Sequence, residues 1–239
     1  MKSNARLITT IGLIGLGFMM PMNMASADSD FLQRLSAKWW QWALSIPVSE
    51  NPILDPTGEK CVIGQRGSTW FLAGNAGTRT CSVPEGEALF FPVINSVNID
   101  TPNVCGQGPE RIPVEDLRAL SAAFIDGASN LLAEVDGESI DDLRRIQSKV
   151  FVVALPEENV FDAPCAALGG VPAGIYSPAV DDGIYVKLRP LEVGNHTLHF
   201  HAENLGDPST TNDDFVVDVT YNLTVVPVVP AESDADDRN

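Results

Sequence analysis

The clearest hydropathy pattern in the chain is a period of two between Phe215 and Val226. Phe215, Val217, Val219, Tyr221, Leu223 and Val225 alternate with Asp218, Thr220, Asn222 and Thr224. Successive side chains of a strand point to opposite faces, so this alternation predicts a strand with one face in a core and the other in water. Leu198, Phe200 and Ala202 alternate in the same way with Thr197, His199 and His201, behind a Gly194-Asn195 turn. Ile184, Val186 and Leu188 alternate with Tyr185, Lys187 and Arg189 and predict a third strand. These three are expected to close a mainly β, antiparallel sandwich, immunoglobulin-like or jelly-roll-like.

Further strands are predicted over residues 68–74, 78–83, 130–135 and 149–155. The nearly unbroken apolar run over 87–95 reads as a strand buried on both sides, with Pro92 at a bend or an edge. Two stretches have helical spacing instead. In the first, residues 28–46, Phe31, Leu32, Leu35, Trp39, Trp42, Ala43 and Ile46 recur at three- and four-residue steps until Pro47 stops the helix. Trp39 and Trp42 fall on the face expected to pack on the sandwich, while Trp40 points elsewhere and reads as exposed. The second helix is expected over 113–125, with Glu115 and Asp116 favouring the positive end of its dipole. Polar, Gly- and Pro-rich segments over 50–67, 98–113 and 163–178 read as loops.

The first residues have the form of an export signal. Lys2 and Arg6 precede an uncharged apolar run from Leu7 to Met20, and Ala25-Ser26-Ala27 supplies a small-x-small cleavage site. The expected organisation is a cleaved signal peptide over 1–27, an N-terminal helix over 28–47, a β-sandwich over 48–230 and an acidic tail over 231–239. The mature chain is expected to be secreted or periplasmic and to have no membrane span. Cys61, Cys81, Cys105 and Cys165 all lie in the exported part, and an even count in an oxidising compartment reads as two disulfides. Of the three possible pairings, Cys61–Cys81 with Cys105–Cys165 is favoured, because the first pair brackets one strand-rich segment. A formal charge of −17 disfavours nucleic acid and anionic lipid as partners.

Several short motifs occur together along the chain. Trp39-Trp40-x-Trp42 is followed by Trp70-Phe-Leu-Ala-Gly74 and by Cys81-x-Val-Pro-x-Gly86-x-Ala-Leu-Phe-Phe-Pro92. Val135-Asp-Gly137, Asp182-Gly183-x-Tyr185, Pro190-Leu-x-x-Gly194-x-His196-Thr and Asp218-Val-Thr-Tyr221 complete the set. With them the chain resembles a family of exported bacterial proteins of unassigned function. The resemblance implies an extracytoplasmic β-rich protein and carries no activity.

The candidate chemistry is sparse. His199 and His201 lie two apart and project from one strand face, where Asp218 of the next strand falls opposite or diagonal to them. Two imidazoles and a carboxylate are a zinc-type donor set. His199-Phe-His201 also resembles the zinc strand of α-carbonic anhydrases, but no histidine follows His201, so that enzyme does not carry over. The alternative places both histidines as ordinary polar residues on a solvated face. Asp181-Asp-Gly183 and Asn212-Asp-Asp214 read as solvated turns, with calcium as an outside possibility. No nucleophile elbow, zinc-protease helix or glycine-rich phosphate loop is present. The sequence therefore points to a non-catalytic binding or structural protein, with Trp40 and Tyr185 as candidate contacts for sugar or protein. A metal-binding protein or metal-dependent hydrolase is the alternative.

Overall fold

The computed structural model describes residues 24–206 and 214–228. Most of the expected signal segment and all of the acidic tail lie outside that range. The first element is helix α1, Met24–Leu44. Strands β1 (Thr69–Phe71), β2 (Ala76–Pro84) and β3 (Ala88–Ile99) lead to helix α2, Val114–Asp126. Then come β4 (Ala128–Val135), β5 (Glu138–Ser139), β6 (Arg144–Gln147) and β7 (Phe151–Leu155). The long β8 (Gly174–Leu188), β9 (Gly194–Asn204) and β10 (Phe215–Val226) complete the chain.

The strands form two five-stranded sheets packed face to face. In the first, the order is β1-β3-β8-β6, with β7 also paired to β8; the second runs β2-β10-β9-β4-β5. Most neighbouring strands pair antiparallel, as expected, but the sheets are mixed. β1 runs parallel to β3, and β2 runs parallel to β10 along nine residue pairs from Ala76 to Pro84. Alternation shows which face of a strand is apolar but not which strand lies beside it or in which direction, so neither parallel pair was readable.

Two cores result. One lies between the sheets, where Leu198, Phe200 and Ala202 of β9 meet Leu89, Phe91 and Val93 of β3. The other lies on the opposite face of the first sheet, where α1 lays Leu32, Leu35, Trp39, Trp40 and Trp42 against Phe71, Phe90, Val153 and Tyr185. β8 is therefore covered on both faces, and every residue from Ala179 to Val186 is buried. α2 closes one end of the inter-sheet space through Leu117, Ser121 and Ile125.

Both favoured disulfides form, Cys61–Cys81 and Cys105–Cys165, and no cysteine is left free. The bridges point to an oxidising, extracytoplasmic location. Among the described residues no helix is long and apolar enough to cross a membrane.

Candidate functional site

The histidine strand is the first place to look for chemistry. His199 and His201 alternate with the buried Leu198, Phe200 and Ala202, so both face out of the second sheet. Asp218 stands opposite His201 in the β9–β10 register. The side chains nevertheless divide into two pairs. His199 Nε2 lies 2.9 Å from Asp218 Oδ1, whereas His201 Nε2 lies 3.2 Å from Glu203 Oε1. Among the described residues no group of three or more His, Cys, Asp or Glu is arranged to hold a metal ion. Asn212 and Asp213 of the second calcium candidate lie outside the described range.

His196 is held differently. Its Nδ1 lies 2.7 Å from Asp136 Oδ2 and its Nε2 lies 2.8 Å from the carbonyl of Glu192. Both partners can only accept, so only an imidazole with a proton on each nitrogen satisfies both. The Asp136 contact, then the Glu192 carbonyl, raise its pKa above 6.5 against the cost of partial burial.

Trp40 and Tyr185 do come together, but not as an exposed contact surface. Trp40 is 9% exposed and Tyr185 is 1% exposed. The correction follows from the second layer: α1 covers the face of β8 that the alternation left polar. Trp40 Nε1 donates to Asp181 Oδ1 at 2.7 Å, and the Tyr185 hydroxyl donates to the same oxygen at 2.8 Å. Asn95 Nδ2 donates to the Tyr185 hydroxyl at 3.0 Å.

Two backbone features make this cluster possible. A bulge in β3 between Pro92 and Ile94 reverses the strand's parity. Leu89, Phe91 and Val93 face the second sheet, but past the bulge Val97 and Ile99 face the α1 side, and Asn95 shares their parity. Gly183, on the same face as Asp181 and Tyr185, leaves room for the Tyr185 ring. A Cβ there would stand 2.6 Å from Asn95 Cβ and 2.7 Å from Tyr185 Cε2.

Asp181 is therefore not the solvated turn residue the sequence suggests. Burial pushes its carboxyl up to about 7, against the lowering effect of the Trp40, Tyr185 and Ser36 contacts. Burial and the adjoining Asp181 also push the Tyr185 hydroxyl well above 10. Asp182 points to the other face of β8, where Arg145 Nη2 lies 2.9 Å from its Oδ2 and Gln147 Nε2 lies 3.0 Å from the same oxygen. Arg145 also reaches Asp126 at the end of α2. At 1% exposure Asp181 offers no surface to a reactant, so the arrangement works as a clamp that fixes α1. The other two indoles serve the same end: Trp39 Nε1 donates to the Leu72 carbonyl and Trp42 Nε1 to the Ile63 carbonyl.

The clamped helix forms one wall of a groove of about 700 Å³. Phe31, Leu35, Lys38, Trp42 and Ser45 fall at steps of four, three, four and three, which places them on one stripe of α1. The opposite wall is the segment 64–69 with Phe71 of β1. That segment is braced from behind. Gln65 Nε2 donates to the carbonyls of Cys61 and Phe71, both at 2.8 Å, and Gln65 Oε1 accepts from Phe71 N at 2.9 Å. The Cys61–Cys81 bridge ties its base to β2. Arg66 on this segment and Lys38 on α1 both line the groove, and among the described residues no carboxylate does.

Sequence reading missed Asp181 because Asp-Asp-Gly has the composition of a turn; the signal against that reading is the apolar sequence on either side, Ala179-Val180 and Ile184-Tyr185. The groove leaves no such signal: Leu35 and Trp42 are core, as their spacing predicts, and Phe31 at the end of the stripe stays 41% exposed.

No known protein family, curated protein or solved structure matches the chain.

Proposed function

We propose that this protein is an exported, non-catalytic binding protein of the periplasm or cell exterior, and that the groove beside α1 is its ligand site. The observation that carries the reading is the groove itself. Its volume lies in the range of small-molecule sites, and it combines an apolar floor of Phe31, Leu35, Trp42 and Phe71 with a polar rim that includes Gln41 and Ser68. Both walls are held by hydrogen bonds from behind, which lowers the ordering cost of binding. The strongly shifted carboxyl of the molecule, Asp181, is sealed in a core, which favours binding over catalysis. The two disulfides and the two-sheet β framework are consistent with an exported binding module.

The test is a saccharide and small-metabolite panel read by intrinsic tryptophan fluorescence, since Trp42 lines the groove. Ser68→Trp, at an exposed position on the groove wall, serves as a plug. Saturable binding by the wild type that the plug abolishes at unchanged melting temperature supports the site. Absence of binding across the panel, or binding indifferent to the plug, overturns it.

A further inference from the structure

The charge around the groove specifies its ligand more narrowly. The chain has 32 acidic and 15 basic residues, so among the charged groups of a randomly placed cleft carboxylates would outnumber cations. Among the described residues this groove has no carboxylate in its lining, and it has both Lys38 and Arg66. Neither forms an ion pair within the described residues, unlike Arg34, Arg111, Arg144, Arg145 and Lys149, each of which lies within salt-bridge distance of an aspartate. A third cation extends the stripe: Lys187 Nζ sits 5.2 Å above the ring of Phe31, the residue at one end of the groove. Lys187 also lines a second cavity, where Arg144 and Arg189 are balanced by Asp28 and Asp142, so the excess of cations belongs to the groove.

Uncommitted cations facing one another across a cleft in an acidic protein are a local potential well for anions. A guanidinium also matches a carboxylate or sulfate in a paired, planar geometry. Between the cations Phe31 is the exposed ring, with Trp42 and Phe71 largely buried behind it, and the rim supplies amide and hydroxyl groups from Gln41, Ser45, Ser68 and Thr69. An aromatic floor accepts the apolar face of a sugar ring, and a rim of neutral hydrogen-bonding groups matches its hydroxyls.

We infer that the groove binds an anionic saccharide, its acidic group held between Lys38 and Arg66 and its ring against the floor formed by Phe31 and Trp42. This inference rests on the groove being the ligand site. The shared chemistry is a sugar carrying a carboxylate or a sulfate, and the two sources are separated by the probes.

The experiment titrates the full exported chain with an oligouronate, a sulfated oligosaccharide and a neutral oligohexose of equal length, at low and at high salt. The variants are Lys38→Gln, Arg66→Gln and the double change, with Lys60→Gln as a control outside the groove. The expected result is that one acidic probe binds at least about tenfold tighter than the neutral one and weakens as salt rises toward a Debye length of about 3 Å. The double variant should lose about tenfold or more of that affinity without a change in melting temperature, while Lys60→Gln binds as the wild type. A neutral probe that binds as tightly, without salt dependence but still blocked by Ser68→Trp, overturns the anionic specificity and leaves the groove standing. Acidic binding that the double variant does not weaken overturns the assignment to Lys38 and Arg66. If none of the three probes binds, the groove reading and this inference fall together.

Discussion

The indole nitrogen of Trp40 lies 2.7 Å from a carboxylate oxygen of Asp181, 141 residues further along the chain. That contact joins the first helix to the middle of the most covered strand. The aromatic rings continue it: Trp39 meets Trp40 and Trp42, Trp42 meets Phe71, Phe71 meets Phe90, and Phe90 stacks on Tyr185 at 5.1 Å. Tyr185 then returns to Asp181 through its hydroxyl. The helix that lines the groove is thus fixed by a closed circuit of apolar contacts with one polar junction.

That junction makes stability depend on pH. A carboxyl whose folded pKa is raised above its unfolded value takes up a proton on folding between the two values. Its contribution is most favourable below pH 3.8 and is lost as pH rises to about 7. Asp181→Asn keeps the shape and the acceptor oxygen but removes the titration. The variant is expected to gain on the wild type between pH 5 and pH 8 in urea unfolding, by an amount of the order of a few kcal/mol. A difference that stays flat across that range would show that Asp181 is not held as the structure has it.

Gly183 is the tightest point of the same cluster. A methyl group there meets the backbone carbonyl of Ile94 at 2.9 Å as well as Asn95 and Tyr185, and the strand core has no room to yield. Gly183→Ala should cost about 1–3 kcal/mol, the usual range for overpacking a filled core. It should also displace Tyr185, which near-ultraviolet circular dichroism will detect. A neutral effect would mean that β3 and β8 sit further apart than described.

How far the sequence disclosed this arrangement depended on the number of layers over each strand. β10 was legible because only one of its faces is covered: Val217, Val219, Tyr221, Leu223 and Val225 are buried, as their alternation requires. Phe215 departs from the pattern at the strand's start, where it lies 39% exposed with its ring against Phe124. β8 misled because its polar residues are buried under α1 and α2, and pairing across layers leaves no periodic trace. Asp181, Asp182 and Tyr185 look like a solvated edge until the helices are placed. The groove was hidden for another reason: Leu35 and Trp42 are buried, as their period predicts, and only Phe31 and the polar Lys38 and Ser45 of the same stripe stay exposed.

His196 supplies a second pH signature of the same sign, in a higher window. Its raised pKa means that its contribution is fully present below pH 6.5 and is lost as pH rises through the folded value. Asp136, whose pKa is lowered mainly by the same hydrogen bond, loses its contribution only as pH falls below 3.8. The pair therefore supports the β4–β5 turn most between those limits. His196→Ala should cost about 1 kcal/mol near pH 6, allowing for the half-exposed Asp136, and less at pH 9. Proton titration of the imidazole by NMR should give a value above 6.5, and a value below it would contradict the two-donor assignment.

The two disulfides should separate stability from binding. By the loop-closure estimate, opening Cys61–Cys81 costs about 3 kcal/mol and opening Cys105–Cys165 about 4 kcal/mol. Cys61 accepts the Gln65 amide that braces the groove wall, whereas Cys105 and Cys165 lie beside Phe161 and Val171, in contact with the other cavity lining around Leu155. Paired Cys→Ala changes should both lower the melting temperature, but only Cys61/Cys81 should weaken a groove ligand. Equal loss of binding in both variants would place the site elsewhere.

The histidine strand gives the remaining test. A zinc ion needs three or four donors converging on one point, and His199 and His201 are each engaged with a different carboxylate, Asp218 in one case and Glu203 in the other. Drawing them together would require His201 to leave Glu203, which Asn130 Nδ2 also holds, and to turn toward Asp218, which His199 already contacts. The protein without a histidine tag, dialysed against zinc and then washed, is therefore expected to retain no stoichiometric metal by elemental analysis. His199→Ala with His201→Ala should leave its thermal stability in zinc unchanged relative to zinc-free buffer. Retention of one equivalent that this double change removes would establish a metal site on the outer face of the second sheet and return metal-dependent chemistry to the leading place.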